Sequence, residues 1–246
     1  MTMELADDLR QPQALLSLWE RALTLDPAAR ESLLACCLPP DDSAPTLGAQ
    51  RLRLLSGLQA RLGPRLALRA RCPSCGEWAA FAIDLDAVVR GLHAADAGPH
   101  EIAHGDWRLR YRLPTPADIE SATTDEDVER FVQRLLQRCV QDASHAAQPA
   151  AVAALPAEVV AALSAAMEAL DPAAAIDFRV ACPACAFEWA APFDPGDALW
   201  SLLQGDAERL LVEVDMLARR HGWSETEILA LSPARRAAYL QLARAG

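Results

Sequence analysis

Apolar residues recur at helical spacing along most of this chain. Phe131, Leu135 and Val140 are spaced to lie on one side of a helix, with Leu136 and Cys139 beside them. This stripe predicts a helix over residues 124–142. The same spacing predicts further helices near residues 13–25, 27–38, 47–62, 156–170, 196–220, 224–231 and 233–244.

Proline residues mark the beginnings of several helices. Proline is favoured at the first helical position because the N–H that it lacks would be unpaired there, and a preceding Asp, Ser or Thr can cap the helix. This combination occurs at Asp26-Pro27, Thr115-Pro116, Asp171-Pro172 and Ser232-Pro233. Ser224 and Glu227 have the spacing of a capping box. The capping residues therefore support the helices that the apolar spacing predicts.

Strands are fewer in the pattern. In the clearest one, four apolar residues alternate with three arginines: Trp107, Leu109, Tyr111 and Leu113 with Arg108, Arg110 and Arg112. Short strands are also predicted at residues 66–70, 78–83, 177–181 and 187–192. The predicted fold class is α+β and mostly helical, with a small antiparallel sheet wrapped by helices.

Between these elements we predict a loop at 91–106, which carries His93, His100 and His104, and an Ala/Pro linker at 143–155. Neither is long or polar enough to separate independent domains. The chain divides into an N-terminal helical region (1–65), a first cysteine knuckle (66–90), an inserted strand with helices (91–175), a second knuckle (176–195) and a C-terminal helical region (196–246).

Charge narrows the range of functions. The net charge of the 246-residue chain is −11, and all 23 basic residues are arginine. This acidic balance counts against nucleic-acid binding, which requires a net-positive face. No basic segment precedes an apolar core of signal-peptide length, and Pro149, Pro156 and Asp171 interrupt the most apolar segment. We therefore expect a soluble, cytoplasmic protein that neither enters a membrane nor binds nucleic acid.

Two Cys-Pro-x-Cys motifs carry the chemistry that the sequence indicates. A turn of this kind aims two thiolates at one point, and zinc takes four such ligands in a tetrahedron. The two motifs are 106 residues apart, so a largely helical insertion would separate the halves of a split zinc ribbon. We expect one structural zinc ion bound by Cys72, Cys75, Cys182 and Cys185.

The residues that follow the two motifs are also alike. If one extra residue, Phe187, is allowed in the second motif, both continue with Glu-Trp-Ala-Ala, which is followed by Phe81 in the first and by Pro192-Phe193 in the second. This weak repeat predicts two equivalent β-hairpins. Gly76 follows the first motif and permits a positive φ, whereas Ala186 follows the second. We therefore expect the second turn to differ slightly from the first.

Other interpretations of the cysteines stay open at this level. Each pair could be a redox-active dithiol, although no βαβ pattern surrounds it, or the thiols could be purely structural without metal. A catalytic zinc is disfavoured because four thiolates would leave no open coordination position. Cys36, Cys37 and Cys139 lie on predicted helices as core residues. The sequence shows no glycine-rich phosphate loop, nucleophile elbow or His-x-x-x-His helix, so we expect no enzymatic activity and no small-molecule substrate.

The C-terminal region predicts a helix ended by Gly222, then a short helix capped by Ser224 and a last helix capped by Ser232. Trp223 would fill the corner between helices, and the last helix would turn three residues toward the core: Tyr239, Leu240 and Leu242. The segment from Leu217 to Leu240 reads LARRHGWSETEILALSPARRAAYL.

This segment resembles the T4-type phage baseplate hub-assembly proteins, whose relatives occur in phage-like contractile injection systems. The Arg112-Leu-Pro-Thr-Pro-Ala-Asp118 turn and the order of the two cysteine motifs support the resemblance, which extends from about residue 12 to residue 244. Two positions depart from the family pattern. His221 stands where an aromatic residue such as tyrosine is expected, and Asp215 where histidine is more usual.

The resemblance implies a non-enzymatic role in the central hub of a contractile-tail baseplate, as an assembly factor or as a retained component. The expected partners are hub or spike proteins. The alternative is a zinc-ribbon nucleic-acid-binding regulator that uses the arginine face of strand 107–113. A redox enzyme based on one Cys-x-x-Cys pair is a third possibility.

Overall fold

The computed structural model describes residues 11–39, 46–123 and 127–245. Within these ranges, the chain forms ten α-helices: α1 (Pro12–Leu23), α2 (Pro27–Cys36), α3 (Leu47–Leu62), α4 (Leu85–Gly91), α5 (Pro116–Ala122), α6 (Val128–Cys139), α7 (Ala157–Leu170), α8 (Pro195–His221), α9 (Glu225–Leu229) and α10 (Pro233–Ala245). The strands are β1 (Arg65–Arg71), β2 (Trp78–Asp84), β3 (His100–His104), β4 (Trp107–Tyr111), β5 (Val140–His145), β6 (Gln148–Pro149), β7 (Ile176–Ala181) and β8 (Glu188–Phe193).

The predicted mostly helical α+β class is confirmed. All pairing between the described strands is antiparallel, but the strands form three sheets rather than one. The hairpins β1-β2 and β7-β8 each form a two-stranded sheet, and the third sheet has the order β3-β4-β5-β6. The four-stranded sheet lies in the insertion between the two cysteine motifs.

Capping residues mark the helix starts much as the sequence indicates. The Asp26 carboxylate accepts hydrogen bonds from the N–H groups of Ala28 and Ala29 at the start of α2. Thr115 and Ser224 form full capping boxes at α5 and α9. Asp171 differs, because its side chain accepts a hydrogen bond from the Gly48 N–H at the start of α3 instead of capping the short 3-10 turn that follows it.

Three predicted segments differ from the structure. The expected loop at 91–106 contains strand β3, and the expected linker at 143–155 contains the end of β5, all of β6 and a 3-10 turn. The expected helix 124–142 ends at Cys139, and Val140 begins β5; its predicted start lies outside the described residues. Helix α4 has no counterpart among the predicted helices, and α5 begins at Pro116, where Thr115-Pro116 indicated a helix start but no helix was predicted.

Two large hydrophobic cores, and a small third cluster between the cysteine hairpins, lie within the described residues. The larger core surrounds the long helix α8, with Leu203, Ala207 and Leu217 almost completely buried, and it includes residues of α1, α2, α3 and both cysteine hairpins. The smaller core lies in the insertion and centres on Leu109, Tyr111 and Leu163. The insertion therefore has a core of its own, while the hairpins are anchored to the helical body.

A buried polar contact connects α3 to the end of the insertion. Asp171 is 1% exposed, and one of its oxygens lies 3.0 Å from the backbone nitrogen of Gly48. A Cβ atom at Gly48 would lie only 1.8 Å from the other Asp171 oxygen, so glycine is required for this approach. Arg51, one turn further along α3, donates to the carbonyl of Ala174 and to the carboxylate of Asp194. These contacts place α3 against the open end of the second hairpin, where β7 begins and β8 ends.

The C-terminal corner forms largely as predicted. Trp223 packs edge-on against Tyr239 with ring centroids 4.8 Å apart, and His221 stacks on Trp223 at 4.5 Å. Leu240 is buried, but Leu242 is 63% exposed, so the prediction that it faces the core is wrong. Within the described residues, no helix has the length and apolarity that crossing a membrane requires.

Candidate metal centre

The two Cys-Pro-x-Cys motifs form the same turn. In the first hairpin the Gly76 N–H donates to the Cys72 carbonyl, and the Cys72 N–H donates to the Glu77 carbonyl, each at 2.9 Å. In the second hairpin, Ala186 and Phe187 make the equivalent two bonds with Cys182, also at 2.9 Å. Ala186 adopts φ +59°, close to the +77° of Gly76. The expected difference between the turns is therefore wrong, because an alanine takes the left-handed conformation.

The strand register extends this equivalence along both hairpins. Arg71 pairs with Trp78 in the first, and Ala181 pairs with Glu188 in the second, at positions 110 residues later in both cases. No inserted residue is needed, so Phe187 corresponds to Glu77. The repeated Glu-Trp-Ala-Ala is thus offset by one position, which turns the exposed Trp78 outward, whereas Trp189 packs inward.

Both hairpins lead into a capped helix. The Asp84 carboxylate accepts a hydrogen bond from the Ala87 N–H at the start of α4, and Asp194 accepts one from the Asp197 N–H at the start of α8. The two hairpins also contact one another through the inward faces of their strands. The Phe81 and Phe178 rings lie 6.3 Å apart, and Ala79 packs with Val180 and Ala191. This packing turns the two knuckles toward one point.

All four predicted ligands meet at that point. The Sγ atoms of Cys72, Cys75, Cys182 and Cys185 lie within 4.8 Å of one another. The Cys72–Cys185 separation is 3.7 Å, and the Cys75–Cys182 separation is 3.6 Å. A tetrahedral ion with bonds of ~2.3 Å places its sulfur ligands about 3.8 Å apart, whereas a disulfide requires about 2 Å. The geometry therefore fits a four-thiolate metal site.

The electrostatics of the cluster also favour a cation. The backbone N–H of Cys185, with that of Ala184, donates to the Cys182 sulfur and lowers the pKa of this thiol to about 7 despite its burial. The Glu77 N–H acts in the same direction on Cys75, but the neighbouring thiols, Cys185 first, outweigh it and raise the pKa of Cys75 to about 12. Four thiolates this close repel one another, and a divalent ion removes the repulsion.

Burial is unequal within each motif. Cys72 and Cys182, the first cysteines, are 2% and 3% exposed, whereas Cys75 and Cys185 are solvent-exposed. A metal bound here would therefore be shielded from solvent on the side of Cys72 and Cys182 and accessible to solvent on the side of Cys75 and Cys185. Four sulfur ligands complete a tetrahedral shell, which is the arrangement of a structural rather than a catalytic zinc site.

The remaining cysteines and the histidines stand apart from this cluster. Cys139 is buried as predicted, but Cys36 is exposed and Cys37 is partly exposed, so the expectation that both are core residues fails for Cys36. His100 lies on β3 beside Tyr111, with ring centroids 5.6 Å apart. Among the described residues, the four cysteines are the only His, Cys, Asp or Glu group close enough to bind a metal ion.

The structure also contains features that no sequence pattern indicated. A groove of about 780 Å³ lies between α3 and α8, with an apolar floor that includes Leu52 and Leu203 and an Asp206 carboxylate contacted by Arg61 and Arg209 at one end. Its walls come from segments more than a hundred residues apart. No local spacing could have predicted it.

The shared turn leads to a prediction about stability. A non-glycine residue in the left-handed region costs about 1 kcal/mol. Ala186→Gly should therefore raise the free energy of unfolding of the metal-loaded protein by about 0.5–1 kcal/mol, and Gly76→Ala should lower it by about 1 kcal/mol. Denaturant unfolding at saturating metal measures both. A loss of stability in Ala186→Gly would contradict the common turn geometry.

No protein-family model, no curated protein and no solved structure matches this chain. The fold and the site together define a mostly helical α+β protein with a four-cysteine cluster that could hold a metal ion.

Proposed function

We propose that this chain is a non-enzymatic assembly factor or structural component of the baseplate hub of a contractile phage tail or phage-like injection system, and that its four cysteines bind one structural zinc ion. The proposal for the hub rests on the resemblance of the C-terminal segment and the Arg112–Asp118 turn. The observation that carries the structural role is the meeting of four sulfur atoms from motifs 106 residues apart.

The local structure of the two segments that carry the resemblance, the Arg112–Asp118 turn and the C-terminal helices, supports a rigid protein-binding scaffold. The Arg112–Asp118 turn is held by two hydrogen bonds between its terminal side chains, at 2.5 and 2.9 Å. The C-terminal helices are fixed by the Trp223–Tyr239 contact and by an Arg236–Glu213 ion pair of 2.8 Å. Zinc would add a covalent link between the hairpins, which closes a loop that is otherwise entropically costly to order.

The arginine face of β4 gives less support to the nucleic-acid alternative than its alternation suggests. Arg112 is committed to Asp118, and Arg108 donates to the carbonyls of Gly105 and Trp107. Arg110 lies between Glu101 and Asp142 in the strand register. The guanidinium groups of this face thus have partners or acidic neighbours within the chain.

The function is tested by co-expression with candidate hub and spike proteins of a contractile tail from the same genome. We expect the tagged chain to co-purify with a hub or spike protein, and its deletion to stop the formation of complete tails, as counted by electron microscopy. A matched control is the tagged Leu242→Ala variant, which changes an exposed apolar residue away from the cysteine cluster and should behave as wild type. Normal tails in the deletion strain would contradict the proposal.

A further inference from the structure

The outer face of the first hairpin is basic and aromatic, although the chain as a whole is acidic. Along β1 and β2, eight side chains point away from the body and are exposed: Arg65, Ala67, Arg69, Arg71, Trp78, Ala80, Ala82 and Asp84. Three positive charges against one negative charge make this face net positive, whereas the chain carries −11. We call these eight residues the Arg–Trp face.

Trp78 is the centre of this face. Its indole is 48% exposed, and the guanidinium carbons of Arg69 and Arg71 each lie 4.9 Å from its ring centroid. Stacking on the ring orders the two arginines while it leaves their N–H edges available. Among the described residues, neither arginine has an ion-pair partner. The two guanidinium groups are therefore held in place with unused donors.

The second hairpin shows that the fold does not require Arg71 or Trp78. At the equivalent positions, 110 residues later, Ala181 stands for Arg71 and Glu188 stands for Trp78, and the strand pairing and the knuckle turn are the same. Its outer face carries Asp177, Arg179 and Glu188 and is net negative. Because Arg179 occupies the position of Arg69, the second arginine and the tryptophan are the residues that the first hairpin has beyond what the four-cysteine site needs.

We infer that the Arg–Trp face binds an extended acidic segment of a partner protein. Carboxylates of the segment accept hydrogen bonds from Arg69 and Arg71 in the planar geometry that guanidinium favours, and Ala80 and Ala82 provide a shallow floor beside Trp78. Nucleic acid fits less well, because binding to phosphates at physiological salt uses many contacts and two arginines supply few. In one respect the inference rests on the proposed function, since the segment would belong to a hub or spike protein.

The binding test uses a fluorescein-labelled peptide of about ten alternating glutamate and valine residues and measures anisotropy with the zinc-loaded full chain. Arg71→Ala and Trp78→Glu install the residues that the second hairpin already carries, so zinc content and Tm should stay at the wild-type values. We expect each to weaken peptide binding about tenfold. Arg179→Ala, at the position equivalent to Arg69, should leave binding unchanged.

Three results would overturn the inference. The first is equal binding of the glutamine version of the peptide, the second is no measurable binding by the wild type, and the third is tighter binding of a single-stranded oligonucleotide that the same substitutions abolish. Co-purification of a hub or spike protein with the wild type and with Trp78→Glu separates this inference from the proposed function. If the partner is lost only with Trp78→Glu, the result supports the Arg–Trp face. Equal recovery of the partner with both proteins refutes the role of the face but not the hub role. Recovery of the partner with neither protein refutes the hub role.

Discussion

Replacing Cys72 with serine is expected to abolish metal binding and to lower thermal stability sharply. Cys72 is 2% exposed and its sulfur lies 3.7 Å from that of Cys185. Serine offers a poor ligand for zinc, and loss of the ion removes the link that it would form between the two hairpins. We expect zinc content to fall from about one ion per chain to near zero and Tm to fall by about 10 °C or more.

The matched control is Cys36→Ser, which changes an exposed cysteine outside the cluster and should preserve both zinc and Tm. Treatment of the wild type with a strong chelator should reproduce the loss of stability that Cys72→Ser causes. A wild type purified without metal, whose stability chelation does not change, would refute the structural site. A reversible disulfide in place of bound metal would instead favour the redox alternative.

The four-cysteine cluster was predictable because its chemistry is local in the sequence. Each Cys-Pro-x-Cys motif specifies its own turn, and two half-sites of the same kind have an obvious way to combine. What the sequence could not provide was which residue of the second hairpin corresponds to which residue of the first. The similarity of the Glu-Trp-Ala-Ala segments suggested an inserted Phe187, but hydrogen bonding aligns the hairpins without one and moves the two tryptophans to opposite faces.

The fold divides in a similar way between local and long-range information. Helix starts at Pro27 and Glu225 follow from capping side chains within three residues, and both were predicted. Strands β3 and β5 were missed because they are stabilised by pairing with β4, a partner distant in sequence from β5. Val140 illustrates the difficulty, since it continues the helical apolar pattern of α6 but begins a strand that packs into the insertion core.

Asp118 is a buried carboxylate that joins three parts of the insertion. Its carboxylate is 1% exposed and accepts hydrogen bonds from Arg112, Arg138 and both the N–H and the hydroxyl of Thr115. These bonds join the end of β4 to α5 and α6. Burial alone would raise the pKa of Asp118, but the hydrogen bonds from Arg112, Thr115 and Arg138 outweigh it and hold the pKa well below its usual range.

Replacing Asp118 with asparagine should therefore lower the free energy of unfolding by about 3 kcal/mol at pH 7, because two guanidinium groups lose their shared counter-ion. The value is at the lower end for a buried pair, since Arg112 and Arg138 are 26% and 45% exposed and can be partly solvated. Denaturant unfolding of both proteins at saturating zinc measures the difference. Asp177→Asn, which changes an exposed carboxylate on β7, is the control and should be nearly neutral.

The pH dependence distinguishes a charged contact from simple packing. Because the pKa of Asp118 is lower in the folded state than in the unfolded state, its contribution is complete above the unfolded value of about 4 and is lost as the pH falls toward the folded value. The stability difference between wild type and Asp118→Asn should therefore be constant from pH 7 to about 5 and shrink below about 4. Metal release in acid affects both proteins equally, so it cancels in this difference. A difference that stays constant down to pH 3 would show that the carboxylate acts through its shape and not through its charge.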